Sequence, residues 1–199
     1  WFQNGLGMVV ILPEKINGKV YYRDCHKFVV HTDSSKAAAG MFCGGDWRYV
    51  HWKKDFPDYY SLHINYKEVM AVLLAADYWA PLWQGAHVTV VTDSAVTKAI
   101  INKGTCKHPR VMNALRELFW IQTQYSFQLH AIHIPGKLNQ LPDAISRLHE
   151  PGQVLRLNAL LRNWHGTATP SIIQWDNHMS QSALRVLLPR LHQWNFTVH

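Results

Sequence analysis

Apolar and polar positions along the 199-residue chain change period several times, and those changes set out its elements. Phe28-Val29-Val30-His31-Thr32 is β-branched and short, which predicts a strand ending at Asp33. Ala39–Cys43 predicts a second strand, Gly44-Gly45-Asp46 a hairpin turn, and Arg48–Trp52 a third strand. From Asn65 the period lengthens: Val69, Val72, Leu73, Ala76 and Trp79 recur at helical spacing until Pro81. Asn65-x-x-Glu68 reads as a capping box at the start of that helix. His87–Thr92 is almost continuously β-branched, as in a central strand buried on both faces, and Asp93 follows it. A short helix is predicted over Ala95–Lys103, stopped by Gly104. A second, opened by Pro109, carries Val111, Ala114, Leu115, Leu118, Phe119 and Gln122 on its faces. Phe127–Ile134 is a fifth strand, Pro135-Gly136 a turn, and Asn139 caps a last helix running to about Leu148.

The resulting order, β-β-β-α-β-α-α-β-α, implies an α/β domain over residues 28–148: a five-stranded mixed sheet, three antiparallel strands followed by β-α units, flanked by helices. Residues 1–27 form a lead-in. In it Met8–Leu12 and Val20–Tyr22 read as strands about an Ile16–Lys19 turn. Pro151-Gly152 marks a boundary, and residues 149–199 are a C-terminal extension with a helix over Val154–Trp164, most simply a packed structural appendage. Without an initiator Met, the chain reads as part of a longer polypeptide.

Composition narrows the function. No apolar run is long enough for a membrane span. Three unpaired cysteines, Cys25, Cys43 and Cys106, suit a reducing, intracellular setting (cytoplasm or nucleus) better than a disulfide framework, and lack the paired spacing of a zinc site. A net charge of +7 and pI near 9.4 favour a polyanionic partner. Against that basic background only 13 residues are Asp or Glu, yet one ends each of two apolar strands and one opens each of two helices: Asp33, Asp93, Glu68 and Asp143. In sheets of this kind sites form at strand C-terminal ends. Converging carboxylates bind hard divalent cations, and such cations support phosphodiester hydrolysis.

Four segments then resemble the ribonuclease H domains of retroelement reverse transcriptases, particularly the gypsy-type and tyrosine-recombinase (DIRS-type) groups. They are Thr32-Asp33-Ser34-Ser35, Ile64-Asn65-Tyr66-Lys67-Glu68, Val91-Thr92-Asp93-Ser94 and the run from His133-Ile134-Pro135-Gly136 to Asp143-Ala144-Ile145-Ser146-Arg147. Each is weak alone. In order, with the acids 35, 25 and 50 residues apart, they are specific. The resemblance implies that Asp33, Glu68, Asp93 and Asp143 are catalytic and hold two magnesium ions, with manganese as a substitute. It implies an endoribonuclease cutting the RNA strand of RNA–DNA hybrids, next to a polymerase domain of the same polyprotein.

Hybrid selection requires polar groups that read the 2′-hydroxyl, and Ser34, Ser35, Asn65, Ser94 and Asn139 lie beside the acids in sequence. Turn and cap roles compete for the same side chains. Lys98, Lys103 and Arg110, with Lys53, Lys54 and Lys107, are candidate phosphate contacts, each of which is also an ordinary surface charge. Two departures from the family stand out. The loop before the last acid is short, so His133 reads as a strand residue and not as a catalytic-loop histidine. Only Thr105–Pro109 separates two helices, leaving no room for a basic protrusion. The alternatives are a non-catalytic module of the same fold that binds nucleic acid or serves polymerase architecture, and a same-fold DNA nuclease.

Overall fold

The computed structural model describes residues 14–16, 19–21 and 27–164. Two short strands, β1 (Glu14–Ile16) and β2 (Lys19–Tyr21), pair antiparallel, with Ile16 opposite Lys19. The expected returning strand is β2, beginning one residue earlier than Val20–Tyr22 and paired with Glu14–Ile16; the Met8–Leu12 strand and the turn residues Asn17-Gly18 lie outside the described residues.

The main sheet contains β3 (Lys27–Ser34), β4 (Ala38–Cys43), β5 (Asp46–His51), β6 (His87–Thr92) and β7 (Gln128–His133), in the spatial order β5-β4-β3-β6-β7. The β5-β4-β3 set is antiparallel, and β3-β6 and β6-β7 are parallel. This is the expected mixed sheet, with the order 3-2-1-4-5 counted along its own strands. Several boundaries shift by one or two residues, and two of the shifts place key side chains. Asp33 is not past the strand end but inside β3, paired with Gly40. The third strand stops at His51, and Trp52, buried completely, starts a short helix α1 (Trp52–Asp55). The Asp55 carboxylate accepts from the His51 backbone N–H and holds that corner.

Helix α2 (Ile64–Trp79) fills the centre of one sheet face: Val69 through Ala76 are all essentially inaccessible, which is why its sequence is apolar nearly all round. It packs with α4 (Pro109–Tyr125), while α3 (Ala95–Lys103) lies beside β7. Trp79 and Trp83 are buried in this core with Leu118, Ile121 and Phe127. Gly104, at φ 64°, ends α3 as its sequence suggested. Phe119 and Trp120 face outward on α4.

The other sheet face carries α5 (Gln140–Ser146) and α6 (Gln153–Arg162). Leu157 and Leu161 of α6 join Ala144 and Ile145 of α5 over Phe42 and Trp47. This part of the extension therefore packs onto the sheet. Gly40 makes the close approach possible. A Cβ there would lie 2.3 Å from Pro142 O and 2.5 Å from Ser146 N, so α5 rests directly on β4.

The capping box at Asn65 and Glu68 is not formed. His63 is the N-cap of α2, and its Nδ1 accepts from the Asn65 backbone N–H at 3.2 Å. That leaves the Glu68 side chain to point into the interior, where it is 6% exposed. Asn139 does precede α5, but its side chain makes no cap; its Nδ2 donates to Thr32 O at 2.9 Å and ties the helix start to β3.

Candidate metal centre

Parallel pairing brings two of the acids together. The β3-β6 register ends at His31 opposite Val91, and each strand continues Thr-Asp-Ser. Asp33 and Asp93 are thus both two residues past the last pair, at the same end of neighbouring strands. Equal offset in a parallel pair also puts them on the same face. Glu68, in the second turn of α2, joins them from the helix on the opposite face of the sheet; Asp33, paired with Gly40, is on the α5 side. Carboxylate oxygens of Asp33, Glu68 and Asp93 all lie within 4.8 Å of one another.

Burial gives the trio its character. It pushes Glu68 up to about 9, helped by the negative charges of Asp33 and Asp93 and opposed by the Ser34 amide. Asp33 is raised to about 6, again first by burial. A hydrogen bond from Ser146 Oγ at 2.7 Å works against this, and Asp93 and Asp143 add to it. Glu68 Oε2 is buried with no hydrogen-bond partner, in a neighbourhood of like charge. Such an atom is costly unless a cation or proton meets it. The set is all oxygen, as magnesium or manganese prefers, so the residues fit a hard divalent cation. Asp93 is less enclosed, and the turn after β7 closes against it: a Cβ on Gly136 would sit 2.9 Å from Asp93 Oδ2.

These raised values set the pH response. The folded state holds protons on Asp33 and Glu68 that the unfolded chain releases near pH 4, so this stabilisation is complete at low pH and lost as pH rises to about 6 for Asp33 and about 9 for Glu68. In chelator, melting temperature should include a component that declines from about pH 4 to pH 9, and millimolar Mg2+ or Mn2+ should reverse it at the alkaline end. Thermal unfolding across that range checks this.

Asp143 stands apart from the trio. Burial acts to raise its pKa, but hydrogen bonds from Arg147 and Arg156, and their charges, outweigh this and hold it below its usual value. Arg147 Nε meets Oδ1 at 2.8 Å and an Arg156 Nη meets Oδ2 at 2.7 Å. The structure thus gathers three of the four expected ligands and places the fourth in an arginine clamp.

The other candidates divide by role. Ser35 organises the β3-β4 turn: its Oγ donates to Ser146 O and accepts from Ala38 N, both at 3.0 Å. Ser34 is buried, with Oγ 3.4 Å from Ala38 O. Ser94 caps α3, accepting from Thr97 N at 3.1 Å. Asn139 is almost wholly buried. Asn65 is half-buried in the first turn of α2, and Lys53, Lys54, Lys98, Lys103, Lys107 and Arg110 are exposed. His133 is the last residue of β7, with Nε2 3.1 Å from Asp93 O.

Sequence reasoning passed over Lys67. Its ammonium, buried beside Glu68 in sequence, donates to Lys36 O at 2.6 Å and Tyr60 O at 2.7 Å, tying the loops before β4 and α2 together. A lysine inside an apolar helix run was the available signal. Ser146, three residues past Asp143, and Arg147, four past it, could have been found from helical spacing. Nothing local points to Arg156.

Residues 23–119 match the family model described as the RNase H-like domain found in reverse transcriptase. No curated protein matches the chain. Among solved structures, similarity extends to RNase H1 from the halophilic archaeon Halobacterium salinarum NRC-1 (12% identity, 63% of this chain and 100% of that one, TM-score 0.49). An RNase H1 isolated from compost by a metagenomic approach is similar at 17% identity, covering 62% and 99%, with TM-score 0.48. The N-terminal RNase H domain of rv2228c from Mycobacterium tuberculosis is similar at 13% identity, covering 69% and 97%, with TM-score 0.45. Residues 23–119, which supply strands β3 to β6 and the trio Asp33, Glu68 and Asp93, are thus similar to the RNase H-like domain found in reverse transcriptase.

Proposed function

We propose that the chain is a divalent-metal-dependent endoribonuclease that hydrolyses the RNA strand of RNA–DNA hybrids, as a module of a retroelement reverse transcriptase. The observation that carries this reading is the buried trio Asp33, Glu68 and Asp93 at the ends of β3 and β6, with the unpartnered Glu68 oxygen inside it. Two magnesium ions, or manganese, held there would supply the charge that activates a water and stabilises the leaving 3′-oxygen, giving 3′-hydroxyl and 5′-phosphate products.

The chain's own residues would do the rest. Asp33 and Asp93 are fixed by strand register and Glu68 by the most buried helix, so the ligand set is held rigidly before substrate arrives. Ser146 orients Asp33 through its 2.7 Å hydrogen bond. Asn65, half-buried and three residues before Glu68 on α2, is the candidate to meet a 2′-hydroxyl. Arg110, close enough to influence Tyr59 and Tyr66, is well placed for a phosphate. The Asp143 clamp favours the second reading, a module of the same fold that binds nucleic acid without cutting it.

A strand-selectivity assay separates these. With magnesium, the chain should cut labelled RNA in a hybrid and leave its DNA strand, duplex DNA and single-stranded RNA at least about a hundredfold less affected, the discrimination a buried polar reader of one hydroxyl can give. Saturable binding to the hybrid without cleavage would favour the non-catalytic module, and equal cutting of duplex DNA would point to a DNA nuclease. No helix among the described residues is long and apolar enough to cross a membrane.

A further inference from the structure

Both oxygens of Asp143 are taken, and by arginines of different origin. Arg147 is one turn along the same short helix. Arg156 comes from a separate helix, α6. Its position is imposed by packing: the next residue, Leu157, is completely buried against α5 and β4 side chains, and Gly152, at φ 82°, turns the chain into α6. The guanidinium itself remains accessible, with the side chain 41% exposed, and Gln153 Oε1 at 3.3 Å also receives it. It is thus held where it meets Asp143 but is free to swing away.

We infer that Arg156 gates the second cation position, occupying Asp143 Oδ2 until a divalent ion displaces it, so that α6 sets the metal requirement of the site. This rests on the reading of Asp33, Glu68 and Asp93 as metal ligands. With each oxygen already accepting from a guanidinium, a cation entering there meets two positive charges. Releasing one guanidinium requires no refolding, because Leu157 and Leu161 anchor α6 independently of it. Arg147, bound within its own helix, would remain and hold Asp143 in orientation.

The test is Mn2+ binding, followed by calorimetry and by electron paramagnetic resonance, to the full chain and its Arg156→Gln, Arg156→Lys, Asp143→Asn and Asp93→Asn variants. The wild type should show a tighter and a weaker event. Arg156→Gln should leave the tighter one unchanged and strengthen the weaker by about two- to fivefold, the worth of an exposed charge pair. Arg156→Lys should stay close to wild type, and in the Asp143→Asn background Arg156→Gln should have no effect. Both events intact with unchanged or weaker affinity in Arg156→Gln would overturn the gate while leaving the metal centre standing. No Mn2+ event sensitive to Asp93→Asn would overturn the metal centre itself, and the gate with it.

Discussion

Glu68→Gln is expected to reduce hybrid cleavage by about a thousandfold or more while raising the melting temperature measured in chelator at pH 8. The first effect follows from losing a carboxylate ligand in a centre whose charge stabilisation is worth several kcal/mol, with each 1.4 kcal/mol a factor of ten. The second follows from burial. At pH 8 the folded protein must either protonate Glu68, raised to about 9, or hold it as a charge beside Asp33 and Asp93. Glutamine keeps the shape and removes that penalty. A residue kept only for structure would behave the opposite way, losing stability when replaced. Steady-state cleavage and thermal unfolding on the same preparations distinguish the two, and a destabilised Glu68→Gln with unchanged cleavage would count against the site.

Gly40→Ala should have the largest effect on stability for the smallest chemical change. Its Cβ would meet Pro142 O at 2.3 Å, Ser146 N at 2.5 Å and Ile145 Cβ at 2.8 Å, two of them backbone atoms with nowhere to go. Either β4 bends or α5 lifts. Overpacking of this kind costs about 3 kcal/mol, which lowers the melting temperature by about 10 °C in a domain of this size. Function should suffer as well. Gly40 is paired with Asp33, and lifting α5 withdraws the Ser146 hydroxyl from Asp33 and carries Asp143 outward. A variant that melts within 2 °C of wild type, by the estimate of about 3 °C per kcal/mol, would show that the approach of α5 to β4 is looser than described.

Much of this was legible from residue pattern because the pattern and the packing demand the same thing. The Val-rich stretch His87–Thr92 is β6, and Pro109 and Gly104 mark the helix ends they suggest. The repeated Thr-Asp-Ser after two β-branched runs foreshadowed the meeting of Asp33 and Asp93, because parallel neighbours align such repeats. Local rules failed where a tertiary contact competes with them. Asn65-x-x-Glu68 satisfies a capping box on paper, but His63 caps and Glu68 turns inward to the cluster. Asn139 stands where a cap belongs and spends its side-chain amide on Thr32 O. A stretch that ends at Trp52 by β propensity ends at His51 because the indole is needed in the core. The pairing of Asp143 with Arg156 depends on α6 folding back over Phe42 and Trp47, which no spacing in the chain announces.

The most direct test is cleavage of an RNA–DNA hybrid, end-labelled on the RNA, by this chain and by Asp93→Asn, with magnesium and separately with manganese. RNA-strand cutting by the wild type that falls by about a thousandfold in Asp93→Asn, at matched folded concentration, is the expected result. Equal cutting by both proteins would contradict the assignment of the carboxylate trio. No cutting by either, with both metals supplied and the hybrid bound, would contradict the nuclease reading and leave a binding module.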